Sequence, residues 1–169
     1  MPEKATTKRA KGRMRAGQRP STAAGEFVRE EIHHVREGKH GARSTRQAVA
    51  IGLSKARRAG VPLKPPRAGQ ASRRTRRSAE RAYEVGQGER KPRSPSRRRS
   101  RATSRALERE PRRAASHEAL SKQARRASSR RSAADRSVAA RKGAATKMPA
   151  KRRTAARTAA RTRRTRRSR

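Results

Sequence analysis

Residues 21–63 read STAAGEFVREEIHHVREGKHGARSTRQAVAIGLSKARRAGVPL, and the fold turns on how this stretch is divided. Its first half places Ala24, Phe27, Val28, Ile32 and Val35 at intervals of three, one, four and three, one face of a helix. Pro20-Ser21-Thr22 is a helix-start signal, and Glu26 sits early, where negative charge suits the helix dipole. Gly38 is a natural C-terminal stop. A second start follows at Ser44-Thr45-Arg46-Gln47, which has the capping-box form. Val49, Gly52, Leu53 and Ala56 then share a stripe, with Ala48 and Ile51 beside it. Lys55, Arg57 and Arg58 occupy the last turn, Gly60 stops it, and Pro62, Pro65 and Pro66 prevent its continuation. The spacing predicts a mainly α fold built on a helical hairpin, with helices at about 21–38 and 44–60. Gly52 is out of place in a helix interior. Close approach of another helix or simple tolerance would each account for it.

Outward from this pair the apolar signal fades. Residues 1–19 read as a disordered basic arm, 20–66 as the hairpin head, and 67–169 as a low-complexity Arg/Ala/Ser-rich tail with transient helices. A short helix is expected around 78–85, and KPRSPSRRRSR at 91–101 reads as extended. The large apolar groups of the head are few. The expectation is a marginal monomer and a homodimer that covers the stripes with a second hairpin.

The charge is lopsided. Residues 1–66 hold 16 Lys+Arg against 5 Glu (+11), and residues 67–169 hold 36 against 7 (+29). Arginine outnumbers lysine 31 to 5 after residue 66, which suits forked phosphate contacts. A net charge of +40 asks for a polyanionic partner. A membrane surface would want bulky apolar groups on one helical face, whereas the tail offers mainly Ala between its arginines. Nucleic acid is the expected partner, with no membrane insertion. The chain has no cysteine, which excludes disulfides and thiolate chemistry.

The turn REGKHGARSTRQA (36–48) has glycines and a lysine that invite comparison with a nucleotide loop. A Walker loop needs G-x-x-x-x-G-K-[ST] after a strand, but Gly38 to Gly41 is too short and Ala42-Arg43 stands where Lys should follow. Two readings stay open. The amides opening the second helix could take a backbone phosphate beside Lys39, His40 and Arg43, or the glycines simply make a turn. His33, His34, His40 and His117 show no carboxylate–histidine spacing of the zinc-enzyme kind and read as surface residues. Glu26, Glu30, Glu31 and Glu37 read as ion-pair partners of nearby arginines. Ser96, Ser100 and Ser128 lie in basic surroundings that could accept phosphorylation. No catalytic residue, metal or cofactor is expected.

The segments GEFVREEI, REGKHGARS and AIGLSKARRAG resemble the core of a family of small basic bacterial proteins of unknown function, over about residues 20–66. Some members are labelled DNA-binding or plasmid-stabilisation proteins. The tail resembles those of histone-H1-like bacterial proteins, with arginine in place of lysine. The resemblance implies a defined head and a bacterial, cytoplasmic setting.

The function expected is largely sequence-nonspecific, nucleoid-associated, histone-like DNA binding through phosphate neutralisation by the tail, with the head positioning or pairing the tails, in a protein that is not an enzyme. An RNA- or ribosome-associated protein and a protein-interaction head with a basic anchor are the alternatives. The residues expected to meet nucleic acid are Lys39, Arg43, Ser44 and Thr45 at the turn and Lys55, Arg57 and Arg58 at the second helix end. The tail adds Arg153, Arg157, Arg161, Arg163, Arg164, Arg166, Arg167 and Arg169.

Overall fold

The computed structural model describes residues 3–146. Among them are seven α-helices, one short 3-10 turn and no strand. The helices are α1 (Lys4–Arg15), α2 (Pro20–Glu37), α3 (Thr45–Arg58), α4 (Arg73–Gln87), α5 (Arg97–Glu108), α6 (His117–Ser129) and α7 (Ala133–Thr146). The 3-10 turn is Arg112–Ala115. The chain divides into two compact units, Met1–Gln123 and Ala124–Arg169. Among the described residues no helix is long and apolar enough to cross a membrane.

The ends of α2 and α3 have local causes. Pro20 opens α2, where a missing amide costs nothing. Gly38 closes it in the left-handed region at φ 79°, and the Lys39 amide donates back to the His34 carbonyl at 3.0 Å. Ser44 caps α3 by accepting from the Gln47 amide at 3.2 Å. The Gln47 side chain reaches back to the Arg43 amide at 2.9 Å, one residue before the cap.

The first unit has two apolar clusters. Phe27 is buried among Ala10, Ala23, Ala24, Ala56 and Val61, edged by Met14, Leu53 and Leu63. Ile32 and Val35 pack with Ala42, Ala48, Ala114 and Ala115, edged by Val28 and Leu120. α2 and α3 pass so closely that a Cβ on Gly52 would lie 2.7 Å from Val28 Cα and 3.0 Å from the Phe27 carbonyl. Close approach is therefore the reason for that glycine.

Several expectations are corrected. Residues 4–15 are not an irregular arm: they form α1, which packs on α2 and buries Thr6 and Ala10. Its stripe of small residues is too weakly apolar to register as amphipathic. Nor does order end at Pro66. α4 packs on α3 through Ala79 and Ala82, and a Cβ on Gly86 would run into the Arg57 carbonyl. The segment read as extended enters α5 at Arg97. The 3-10 turn seals the second cluster, where Arg36 Nε donates to the Ala115 carbonyl at 2.8 Å. The apolar faces expected to need a second copy are thus covered by the chain's own α1 and 3-10 turn. Residues 147–169 lie outside the described residues.

Three buried glutamates on α2 hold the first unit's polar interior. Glu26 accepts from Arg13 at 2.5 Å and Arg9 at 3.2 Å, tying α1 down. Burial pushes the Glu26 carboxyl up, but the Arg13 hydrogen bond, the Arg13 and Arg29 charges and the Arg9 hydrogen bond outweigh it. The net result is a pKa below the ordinary carboxylate value. Glu30 lies 3.4 Å from Lys55 Nζ, and Glu31 lies 2.7 Å from the same ammonium. Of the four glutamates expected to pair with arginine, only Glu26 does so among the described residues, and Glu37 pairs with Lys39. Glu30 and Glu31 use a lysine from α3.

Candidate nucleic-acid interface

An open groove runs along α4, the 90–95 segment and the start of α5. α3 contributes Arg58, and α4 contributes Arg73, Arg74, Arg77 and Arg81. The connecting segment adds Arg90, Lys91 and Arg93, and α5 adds Arg99. Among the described residues that makes nine cationic side chains, and no Asp or Glu lines the groove. Arg90 is bound to Glu84 at 2.6 Å. The other eight have no carboxylate within ion-pair distance among the described residues.

The backbone sharpens this. Ser72 caps α4 by accepting from the Thr75 amide at 3.2 Å, and Ser96 caps α5 by accepting from the Arg99 amide at 3.3 Å. Neither helix has an acidic residue in its first turn, and both begin with consecutive arginines. Cations at a helix N-terminus oppose the dipole. An anion held there would relieve both the dipole and the crowding of like charge. Serines between the arginines, such as Ser78 and Ser100, can donate to phosphate oxygens.

The residues expected at the 38–44 turn fare differently. The Gly41 amide donates to the Leu107 carbonyl at 2.7 Å, and the Ala42 amide to the Pro111 carbonyl at 3.3 Å. The turn is therefore closed by its own chain. Arg43 and Ser44 remain exposed. Lys39 is exposed but lies 3.1 Å from Glu37 and 3.7 Å from Glu3, and the Glu37 hydrogen bond raises its pKa.

Three of the expected contacts are corrected to internal roles. Thr45 is buried and its hydroxyl donates to the Ala114 carbonyl at 2.6 Å. Lys55 is held by Glu30 and Glu31. Arg57 is 7% exposed and donates to the Leu63 carbonyl at 3.0 Å and the Lys64 carbonyl at 3.4 Å. It pins the proline-rich exit of α3, and burial lowers its pKa. Arg58 alone of that helix end lines the groove. The arginines at 153, 157, 161, 163, 164, 166, 167 and 169 lie outside the described residues. The arginines of α4 were not among the expected contacts. Their spacing was visible, but where they gather depends on alanine contacts that a search for large apolar groups passes over. Scans of the chain against protein-family models, curated proteins and solved structures each found no match.

Proposed function

We propose that this chain is a non-enzymatic DNA-binding protein that holds the phosphate backbone with little regard to sequence, in a nucleoid-associated setting in the bacterial cytoplasm. The observation that carries the reading is the groove: nine cations, no acid, and two arginine-led helix starts. Each neutralised phosphate releases counterions, which yields affinity without base contacts. The shortage of aromatic side chains leaves little for base stacking. In this reading α2 and α3 form a helical hairpin that fixes α4, and α4 presents the arginines. The remaining positive charge of the chain adds to the same term. The resemblance of residues 20–66 to small basic bacterial proteins fits that setting. A second copy is not required to cover the apolar faces.

The test uses the full-length chain and a fluorescent duplex, with affinity followed between about 50 and 200 mM salt. Replacing Arg74, Arg77 and Arg81 together with Ser is expected to flatten the log–log salt slope by about 2–3, near 0.9 per lost contact. Replacing Arg125, Arg126 and Arg130 with Ser is the charge-matched control. If the two triple variants behave alike, the groove is not the interface. Tighter binding of a single-stranded RNA of equal length would overturn the preference for DNA.

A further inference from the structure

The first unit also gathers a carboxylate and two imidazoles that the groove does not use. Glu31 and His34 stand three residues apart on α2, the i, i+3 pairing that bundle proteins use to hold metals. His40 comes back to them from the turn beyond Gly38. One donor atom from each of the three lies within 4.8 Å of the others. We propose that Glu31, His34 and His40 form a three-ligand site for a first-row divalent cation of the zinc type, with water as a fourth ligand.

Three observations carry this. His40 Nε2 is 3.2 Å from Glu31 Oε1, close to the edge of a tetrahedron with bonds of ~2.1 Å. Each imidazole is also held from behind. His40 Nδ1 lies 3.0 Å from the Gly41 carbonyl, and His34 Nε2 lies 3.0 Å from Glu3 Oε1. Metal-bound histidines are oriented by such outer contacts, which assign the proton to one nitrogen and leave a lone pair on the other. With Nδ1–H donated to Gly41, the His40 Nε2 lone pair faces a carboxylate. Two acceptors facing each other at that distance are relieved by a cation between them, a proton or a metal ion.

The third observation is Glu31 itself. Both of its oxygens are fully buried and neither makes a hydrogen bond. Lys55 Nζ is 2.7 Å from Oε2, an ion-pair distance without hydrogen-bond angles. That ammonium opposes a second cation, but Glu30 also holds it at 3.4 Å. Oε1, on the histidine side, is the ligand atom. An ion there would join α2 to the 38–44 turn directly, and to Glu3 through His34.

The experiment takes the full-length chain, stripped with a chelator, and titrates it with Zn²⁺ alone. Co²⁺ serves as a visible probe. One ion per chain is expected, with a raised thermal midpoint and a Co²⁺ band of four-coordinate intensity. His40→Gln, at a half-buried position, is expected to weaken binding at least tenfold and abolish the band. His34→Gln asks the same question should His40→Gln disturb the helical circular dichroism. His33→Gln, exposed on the same helix, is expected to leave affinity and band unchanged. Absence of stoichiometric binding overturns the proposal, and so does wild-type affinity in both the His40→Gln and His34→Gln chains.

Discussion

The α1–α3 region and the α4–α5 groove use the same kind of residue in opposite ways. Around α2, every buried carboxylate has a cation from another element within 3.4 Å. Arg9, Arg13 and Lys55 are thereby turned into internal fastenings. In the groove eight of nine cations have no carboxylate within ion-pair distance among the described residues. The lesson is that net charge does not locate an interface. Where acids are spent inside, basic residues hold the fold. Where acids are withheld, they are available to a ligand.

The largest test of this contrast is Lys55→Met. It leaves Glu30 and Glu31 buried without their shared ammonium and is expected to cost about 3–5 kcal/mol in urea unfolding. A loss under ~1 kcal/mol would mean that the buried glutamates do not depend on it. Next comes Gly52→Ala, whose new Cβ meets the backbone of α2 and is expected to destabilise by about 1–3 kcal/mol. Gly25→Ala, at an exposed position of α2 with nothing within 4 Å, should stabilise by up to ~1 kcal/mol instead. Equal effects at the two positions would undo the close approach of α2 and α3.

The third test is pH. The Glu26 carboxyl is held below its ordinary value of 4.5, so its contribution is fully present above that value. It is lost as pH falls through the lowered folded value. Thermal melts should therefore lose stability below about pH 4.5, and Glu26→Gln should flatten that part of the profile. An unchanged acid limb in the variant would remove the clasp from the account. The smallest effect is expected in the groove. Arg77→Ser should shift stability by no more than about 0.5 kcal/mol, since no carboxylate partner is lost. A larger loss would show that this arginine is structural too.

What the sequence made legible were features with large or singular side chains. The Phe27–Ile32–Val35 stripe, the Gly38 stop and the Ser44 cap are visible as text and correspond to observed contacts. What stayed hidden is carried by alanine. Ala10, Ala79, Ala82, Ala114 and Ala115 are all buried, yet each looks like a helix former of no consequence beside arginines. Dense charge around a small residue masks its period. Thr45, Lys55 and Arg57 were read as ligand contacts because residue type was the only guide; their partners lie elsewhere in the chain. The grouping of Glu31, His34 and His40 was not legible: the histidines read as surface residues, and His40 comes near the other two only through the left-handed turn at Gly38.

The bonds that flank the 38–44 turn span long stretches of chain: Thr45 reaches Ala114 across 69 positions and Arg36 reaches Ala115 across 79. A ribosome delivers the N-terminal helices well before residue 115 exists as peptide. During that interval Val35, Ala42 and Ala48 have no lid, and the apolar side of α2 faces whatever is nearby. Completion of the first unit is thus timed by elongation. A nascent chain stalled between residues 60 and 110 should be the form most open to chaperones and proteases.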